Sequence, residues 1–361
     1  MKLKKITLIL IVILAVLVLI AAVATFTLDD SIIEEPKGNA SVVVTGDVMF
    51  ARNMAGVLSL DESPFRHVEN VTGGADLLLI NFENAATTSG CAVKGDVPLK
   101  CDPSYVPLAK ANNNTVAALA NNHLFDYGTD GMKDTLKSLD DAGITHIGAG
   151  NNESQARQTA SSDINGRNIT IINYMDSNNF KEYSTDVMPQ ANGSNPGYSA
   201  YDSDVAKCQI QDAKANGSDV VIVYFHFGNE YSRSPNPDQE KMAHEVIDYG
   251  ADAVLGSHPH VTQGIEMYKG KPIFYSLGNF IFDMSNSATH IAYIVKIDFV
   301  NDTGECTVYP VIISGYLPYF MGPDEGTSLL NSLSPQCDDL EITPEGTGKL
   351  YFNLTGDTNE S

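Results

Sequence analysis

Five short apolar runs in this chain end on residues able to hold a cation or move a proton. Asp47 follows SVVVTG, Glu83 follows LLLINF, Asn122 and His123 follow VAALAN, His226 follows VVIVYF, and His258 and His260 follow DAVLGS. One carboxylate in such a place is unremarkable. Five successive run ends that supply Asp, Glu, Asn-His, His and His-Pro-His form a metal-site constellation. Mixed oxygen and imidazole donors suit Mn, Fe, Zn or Mg, and imidazole favours the transition metals. Buried carboxylates and imidazoles left without a cation or partner are costly, which argues against an inert fold kept for structure alone.

Bringing these residues together requires strands of an alternating α/β body, because ligand sites in open α/β sheets form beyond the carboxyl ends of strands. The runs at 41–47, 75–83, 114–122, 145–150, 168–174, 219–228, 251–260 and 271–280 are apolar and bounded by Gly, Asn or Asp, as buried strands are. Between them, 129–143 places Met132, Leu136 and Leu139 on one helical face and stops at Gly143. Residues 237–250 open on Pro-Asp and also stop at a glycine. This alternation predicts α/β layers. Residues 290–300 and 304–314 read as a late antiparallel hairpin. Residues 27–40 read as a linker, and 321–361, richer in Gly, Pro, Ser and acids, as a peripheral tail.

Composition narrows the function classes. The 361 residues carry 22 Lys plus Arg against 45 Asp plus Glu, a formal charge of -23, so a broad basic face for nucleic acid is excluded. Apolar residues make up 43%, enough for a sizeable core. Lys2, Lys4 and Lys5 precede an uncharged run from Ile6 to Phe26, about 30 Å long as a helix. Lysines before it and Asp29 and Asp30 after it predict a single-pass anchor with residues 1–26 at the membrane and the main domain outside the cytoplasm. A cleaved signal peptide is the rival reading. Asn-X-Ser/Thr sequons, among them Asn39 and Asn70, give weak support to export. Cys91 and Cys101 flank a Gly- and Pro-containing loop and are expected to pair in an oxidising exterior. Cys306–Cys337 is a second candidate, which would leave Cys208 over.

The segments TGDVMFAR (45–52), INFENAATT (80–88), LANNHLFDYGTDG (119–131), HFGNEY (226–231), GADAVLGSHPHVTQGIE (250–266) and YSLGNFIFD (275–283) together resemble the CapA family of capsule and poly-γ-glutamate synthesis proteins. The resemblance spans 41–320. It implies a four-layer α/β/β/α sandwich similar to calcineurin-like metallophosphoesterases, with one or two divalent cations, Mn, Fe or Zn foremost. It further implies Asp47 as the first-strand ligand, Glu83 in the bridging position, and Asn122 as a ligand. His226 and His258 would serve one cation, and His260 with Asp47 the other. His123 matches the histidine that donates a proton or steadies an oxyanion. Two departures stand out. Met49 occupies the place of a ligand histidine, and a thioether is a poor ligand for hard cations. Glu83 replaces an aspartate.

The remaining motif residues admit two readings each. Asp126 could orient the His123 imidazole or cap the following turn. Arg52 could hold an anionic substrate group through its fork of donors or form a surface ion pair. Glu230 could contact substrate or be a solvated loop charge. Asn279 is expected to fix a buried loop, and His67, His146, His244 and His290 to be structural or exposed. The 84–104 loop could cover the site or be a mere insertion. Two functions follow. In one, an exported metal-dependent hydrolase or transferase acts on a phosphate-containing or polyanionic substrate, with His123 assisting the leaving group. In the other, an assembly subunit binds an anionic polymer such as poly-γ-glutamate through bound ions, without turnover. Other membrane synthesis subunits are possible partners of either.

Overall fold

Val-, Ile- and Leu-rich runs punctuated by Gly, Asn and Asp form buried strands, and the amphipathic stretches between them form helices. The computed structural model describes residues 37–355, apart from 89, 181–183, 185–186, 334–336 and 338. The expected anchor at 6–26 lies outside the described residues, as does most of the 27–40 linker. No helix among the described residues is long and apolar enough to cross a membrane.

In chain order the principal elements are β1 (Ala40–Val48), β2 (Leu77–Phe82), β3 (Thr115–Ala118), α1 (Gly128–Asp141), β4 (Arg167–Met175), α2 (Ser203–Ala215), β5 (Val220–His226), α3 (Pro237–Asp248), β6 (Ala253–Ser257), β7 (Ile291–Val300), β8 (Thr303–Ser314), α4 (Pro323–Leu333) and β9 (Gly348–Asn353). A 10-stranded sheet carries β9, β8, β7, β1, β2 and β3 side by side. β1, β2 and β3 run parallel, whereas β7 pairs antiparallel with both β1 and β8. The late hairpin is therefore as expected. A 6-stranded sheet is centred on β4, β5 and β6, all parallel.

The alternation of side chains along each strand sorts the core into three layers. Val42, Val44, Leu77 and Leu79 of the first sheet pack against Ile171, Ile222 and Leu255 of the second. Val43, Leu78 and Ile80 on the other face meet Met132, Leu136 and Leu139 of α1. Val221, Val223 and Val254 on the far face of the second sheet meet Ile210 of α2 and Met242 and Val246 of α3. Two sheets thus lie face to face with helices outside, a mixed α/β body whose parallel strands all direct their carboxyl ends the same way within each sheet.

Two expectations are corrected. The 321–361 stretch is more than a peripheral tail. α4 and β9 belong to the body, because β9 pairs with β8 and buries Leu350 and Phe352, with Leu330, in the inter-sheet core. No disulfide forms among the described residues. Cys101 is buried and accepts a hydrogen bond from Asn84 Nδ2 at 3.3 Å, whereas Cys91 is exposed. Burial pushes the Cys101 thiol up to about 12.

One glycine is required by close approach. A Cβ on Gly46 would stand 1.8 Å from the Gly278 carbonyl oxygen. The two backbones meet there because β1 pairs with Asn279–Ile281, setting Asp47 opposite Asn279.

Candidate metal centre

The carboxyl ends of β1, β2, β5 and β6 and the turn after β3 converge on one buried cluster. Register explains the convergence. Asp47 lies opposite Asn81 on β2, and His226 lies opposite Ser257 on β6. Asp47, Glu83 and His226 are each 0% exposed, and His258 and His260 are nearly so.

Ligand atoms of Glu83, His226 and His258 all lie within 4.8 Å of one another, and so do those of Asp47, Glu83 and His260. Glu83 is common to both groups, where the bridging residue was expected. Asn122 joins the first group through Oδ1, 2.8 Å from His226 Nε2. His260 Nδ1 stands 3.4 Å from Asp47 Oδ2. Glu83 Oε1 is 3.8 Å from His226 Nε2 and has no hydrogen-bond partner, although buried, and His258 Nδ1 likewise has none. Such orphaned groups are rare in native interiors and ask for an explanation. Two of them on facing members of one donor set fit a divalent cation.

The electrostatics agree. Burial raises the Glu83 carboxyl well above its ordinary range, and the charge of Asp47 raises it further. Burial also raises Asp47, but the hydrogen bond and charge of His260 outweigh it and hold Asp47 at about 2. Burial pushes His226 down to about 3 and His258 well below its usual value. These two imidazoles are therefore neutral at pH 7, the state in which they can ligate. His260 is depressed by burial yet ends raised, because Asp47 favours its cation. Its Nδ1 also meets Asn279 Oδ1 at 2.8 Å, so Asn279 does fix a neighbouring segment while steadying His260.

His123 and Asp126 sit beside the cluster. His123 Nδ1 is 2.6 Å from Asp126 Oδ2, which leaves Nε2 for a ligand in the adjoining cavity. α1 starts at Gly128 with no side-chain cap, so Asp126 orients the imidazole rather than capping the helix. Burial lowers His123 despite Asp126. Met49 is buried in the core with α1, and its Sδ accepts from Ala51 N at 2.9 Å.

A cavity of about 500 Å³ opens on these histidines and is also lined by Arg52, Lys94, Glu230 and Tyr231. Arg52 lines it while paired with buried Asp283. Glu230 stands exposed on the rim. Five of the nine non-glycine residues with left-handed φ among the described residues, Arg52, Val97, Tyr231, His258 and His260, line this one cavity. Backbone strain of this kind collects at functional sites.

Comparison with known proteins follows this geometry. The family described as Bacterial capsule synthesis protein PGA_cap matches residues 41–284. The chain belongs to this family. A relative from Bacillus subtilis (strain 168), "PGA biosynthesis protein CapA", is 34% identical over 87% of this chain and 82% of the relative. "Capsule biosynthesis protein CapA" of Bacillus anthracis is 32% identical over 71% of this chain and 63% of the relative. Among solved structures, the calcineurin-like phosphoesterase YfkN from Bacillus subtilis aligns at 14% identity with a TM-score of 0.41, covering 89% of this chain and 92% of that one.

Sequence reasoning missed two residues of this family member's centre. Asn81, inside an apolar run, donates from Nδ2 to Asp47 Oδ1 at 2.7 Å and approaches Glu83 Oε2 at 3.4 Å and His226 Nδ1 at 3.3 Å. Lys94, from the 84–104 loop, is only 4% exposed. Its Nζ donates to the Asn122 carbonyl at 3.1 Å and lies 3.7 Å from Asp126 Oδ1. The strand period would have flagged Asn81, as a polar residue on the Asp47 side of β2. No local signal marks Lys94.

Proposed function

We propose that this chain works in the synthesis or export of a poly-γ-glutamate-type surface polymer, through a centre that takes one or two divalent cations and supports hydrolysis or group transfer. The observation that carries this reading is Glu83, a buried carboxylate common to two donor groups with one oxygen left unpartnered. Family membership supports the choice of polymer. Glu83, His226 and His258, with Asn122, would hold one cation, and Asp47, Glu83 and His260 the other, with Mn, Fe or Zn favoured by the imidazoles. A cation there would polarise an oxygen of the scissile group and acidify a water.

The chain's own residues do the rest. Asn81 fixes the rotamers of Asp47 and Glu83. Asp126 holds His123 by Nδ1, so Nε2 is the atom that passes a proton to a leaving oxygen or nitrogen. Arg52 presents its guanidinium to an anionic group from a position set by Asp283. The N-terminal lysines and the 6–26 run support a membrane anchor, with the domain outside the cytoplasm beside other synthesis subunits.

Elemental analysis of the full-length protein tests the centre. One or two equivalents of metal, lost in Glu83→Ala and His258→Ala, are expected. No metal after reconstitution with Mn, Zn and Fe would sink the reading. One observation favours a binding subunit without turnover. Met49 packs in the core, so the second group keeps three donors. His123→Ala separates the two readings. Turnover collapses with metal retained if the centre is catalytic, whereas polymer binding unaffected and no hydrolysis in either form marks the receptor.

A further inference from the structure

Val97 and Tyr231 share an unusual combination at the mouth of the cavity. They are 58% and 50% exposed, they line it, and both hold left-handed backbone, with φ of 43° and 64°. A β-branched side chain tolerates that region poorly. Such strain persists only where the surroundings over-determine it, and here they do. Tyr231 N donates to the Pro259 carbonyl at 2.8 Å. Its loop is fastened by buried Gln263, whose Nε2 donates to the Ser232 and Ser234 carbonyls at 3.0 and 3.1 Å. Gln263 in turn accepts from buried Gln239 at 2.8 Å. The Val97 loop is pinned on both sides by Asp126, which accepts from Val93 N through its carbonyl at 2.8 Å and from Leu99 N through Oδ2 at 2.6 Å.

The fold therefore keeps two apolar side chains in water, at a cost in backbone strain, on the loops flanking the histidines. Buried Lys94 and exposed Arg52 supply positive charge to the same lining, which Asp96 and Glu230 share. A compact inorganic anion would use the cations and imidazoles but gain nothing from the apolar mouth. An acid carried on a short aliphatic stem would use both. The rim acids would repel a second acid group placed beside them and so set the spacing along the chain. A cavity of about 500 Å³ suits an organic ligand of that size.

We infer that Val97 and Tyr231 grip the aliphatic segment of the substrate and select an acid on an aliphatic stem over a compact anion. The inference rests on the polymer reading above, whose substrate it deepens.

Calorimetric titration of the full-length protein in Mn2+ with γ-linked triglutamate and with inorganic phosphate tests it. Tyr231→Ala and Val97→Gly are each expected to weaken triglutamate about tenfold, the loss of one buried apolar contact, and to leave phosphate binding within about twofold. Val97→Gly is also expected to melt no lower than wild type, because glycine accepts the positive φ freely. Equal triglutamate affinity in wild type and both variants overturns the inference, as does a parallel loss of phosphate or an absence of saturable triglutamate binding to wild type. Metal content measured on the same samples keeps the two readings apart. Metal bound with unchanged triglutamate affinity removes only the grip, whereas absence of metal removes the centre.

Discussion

Glu83→Gln keeps the size of a buried side chain and removes its charge. If Glu83 exists to hold cations, the consequence has opposite signs with and without metal. In chelated protein the ionised carboxylate is disfavoured by burial and by Asp47. A neutral amide relieves both, so the chelated variant is expected to match wild type or exceed it by up to about 2 kcal/mol. Metal at a hundred times its dissociation constant stabilises wild type by about 2.7 kcal/mol. The described residues run from 37 to 355. At about 2.1 cal/mol/K of unfolding entropy per residue, their melting entropy is roughly 0.7 kcal/mol/K. Metal should therefore raise the wild-type Tm by about 4 °C and the variant by less than about 1 °C. Differential scanning calorimetry with and without chelator reads all four values. A variant that keeps the full metal shift, or whose chelated Tm falls by several degrees, would refute the argument. The first result would mean that Glu83 is no ligand, the second that it is a structural group satisfied within the fold.

Three further outcomes are expected. His226, at about 3, and His258, also lowered by burial, bind protons in the unfolded chain below pH 6.5 but not in the fold. Stability of the chelated protein should therefore fall as pH drops from 6.5 towards 3, by up to about 1.4 kcal/mol per pH unit per group. Glu83 runs the other way above pH 4.5, because its folded form keeps its proton. In urea titrations His226→Gln should flatten the slope and Glu83→Gln steepen it. Gly46→Ala forces a Cβ against the Gly278 carbonyl and should cost roughly 3 kcal/mol by denaturation. Asp126→Asn should leave metal content unchanged and lower any turnover of the metal-loaded protein roughly 10–100-fold, since the His123 Nδ1–H and the Leu99 N–H lose their shared charged acceptor.

The candidate donor set was legible because each member follows an apolar run. A polar residue directly after a buried strand is a local signal, and parallel strands gather such ends without further information. Residues within strands or on distant loops lack that signal. Asn81 hides in LLLINF, although its place opposite Asp47 makes it the amide that orders both carboxylates. Lys94 lies in the Gly- and Asp-containing 84–104 loop, and contacts with Asp126 and with the Asn122 carbonyl hold it inside. The expected Cys91–Cys101 bridge failed for a related reason. Loop length says how close two cysteines can come and nothing of which way they face, and Cys101 faces Asn84.

The tail shows the opposite error. GKLYFN alternates as a strand should, and Leu350 and Phe352 are buried as that period requires. Acidic neighbours masked a pattern that antiparallel pairing with β8 makes plain. Met49 shows where resemblance and structure part. At the place where the sequence resemblance implies a histidine ligand, this chain has a thioether turned into the α1-side core, its sulfur accepting from Ala51 N. The two donor groups are consequently unequal. One has two imidazoles, the shared carboxylate and the Asn122 amide close by, whereas the other has one imidazole and two carboxylates. Imidazole-rich donor sets favour transition metals, and carboxylate-rich ones harder cations. That inequality follows from the residue type at position 49, which the sequence already shows. The structure adds where the thioether goes, into the core beside α1.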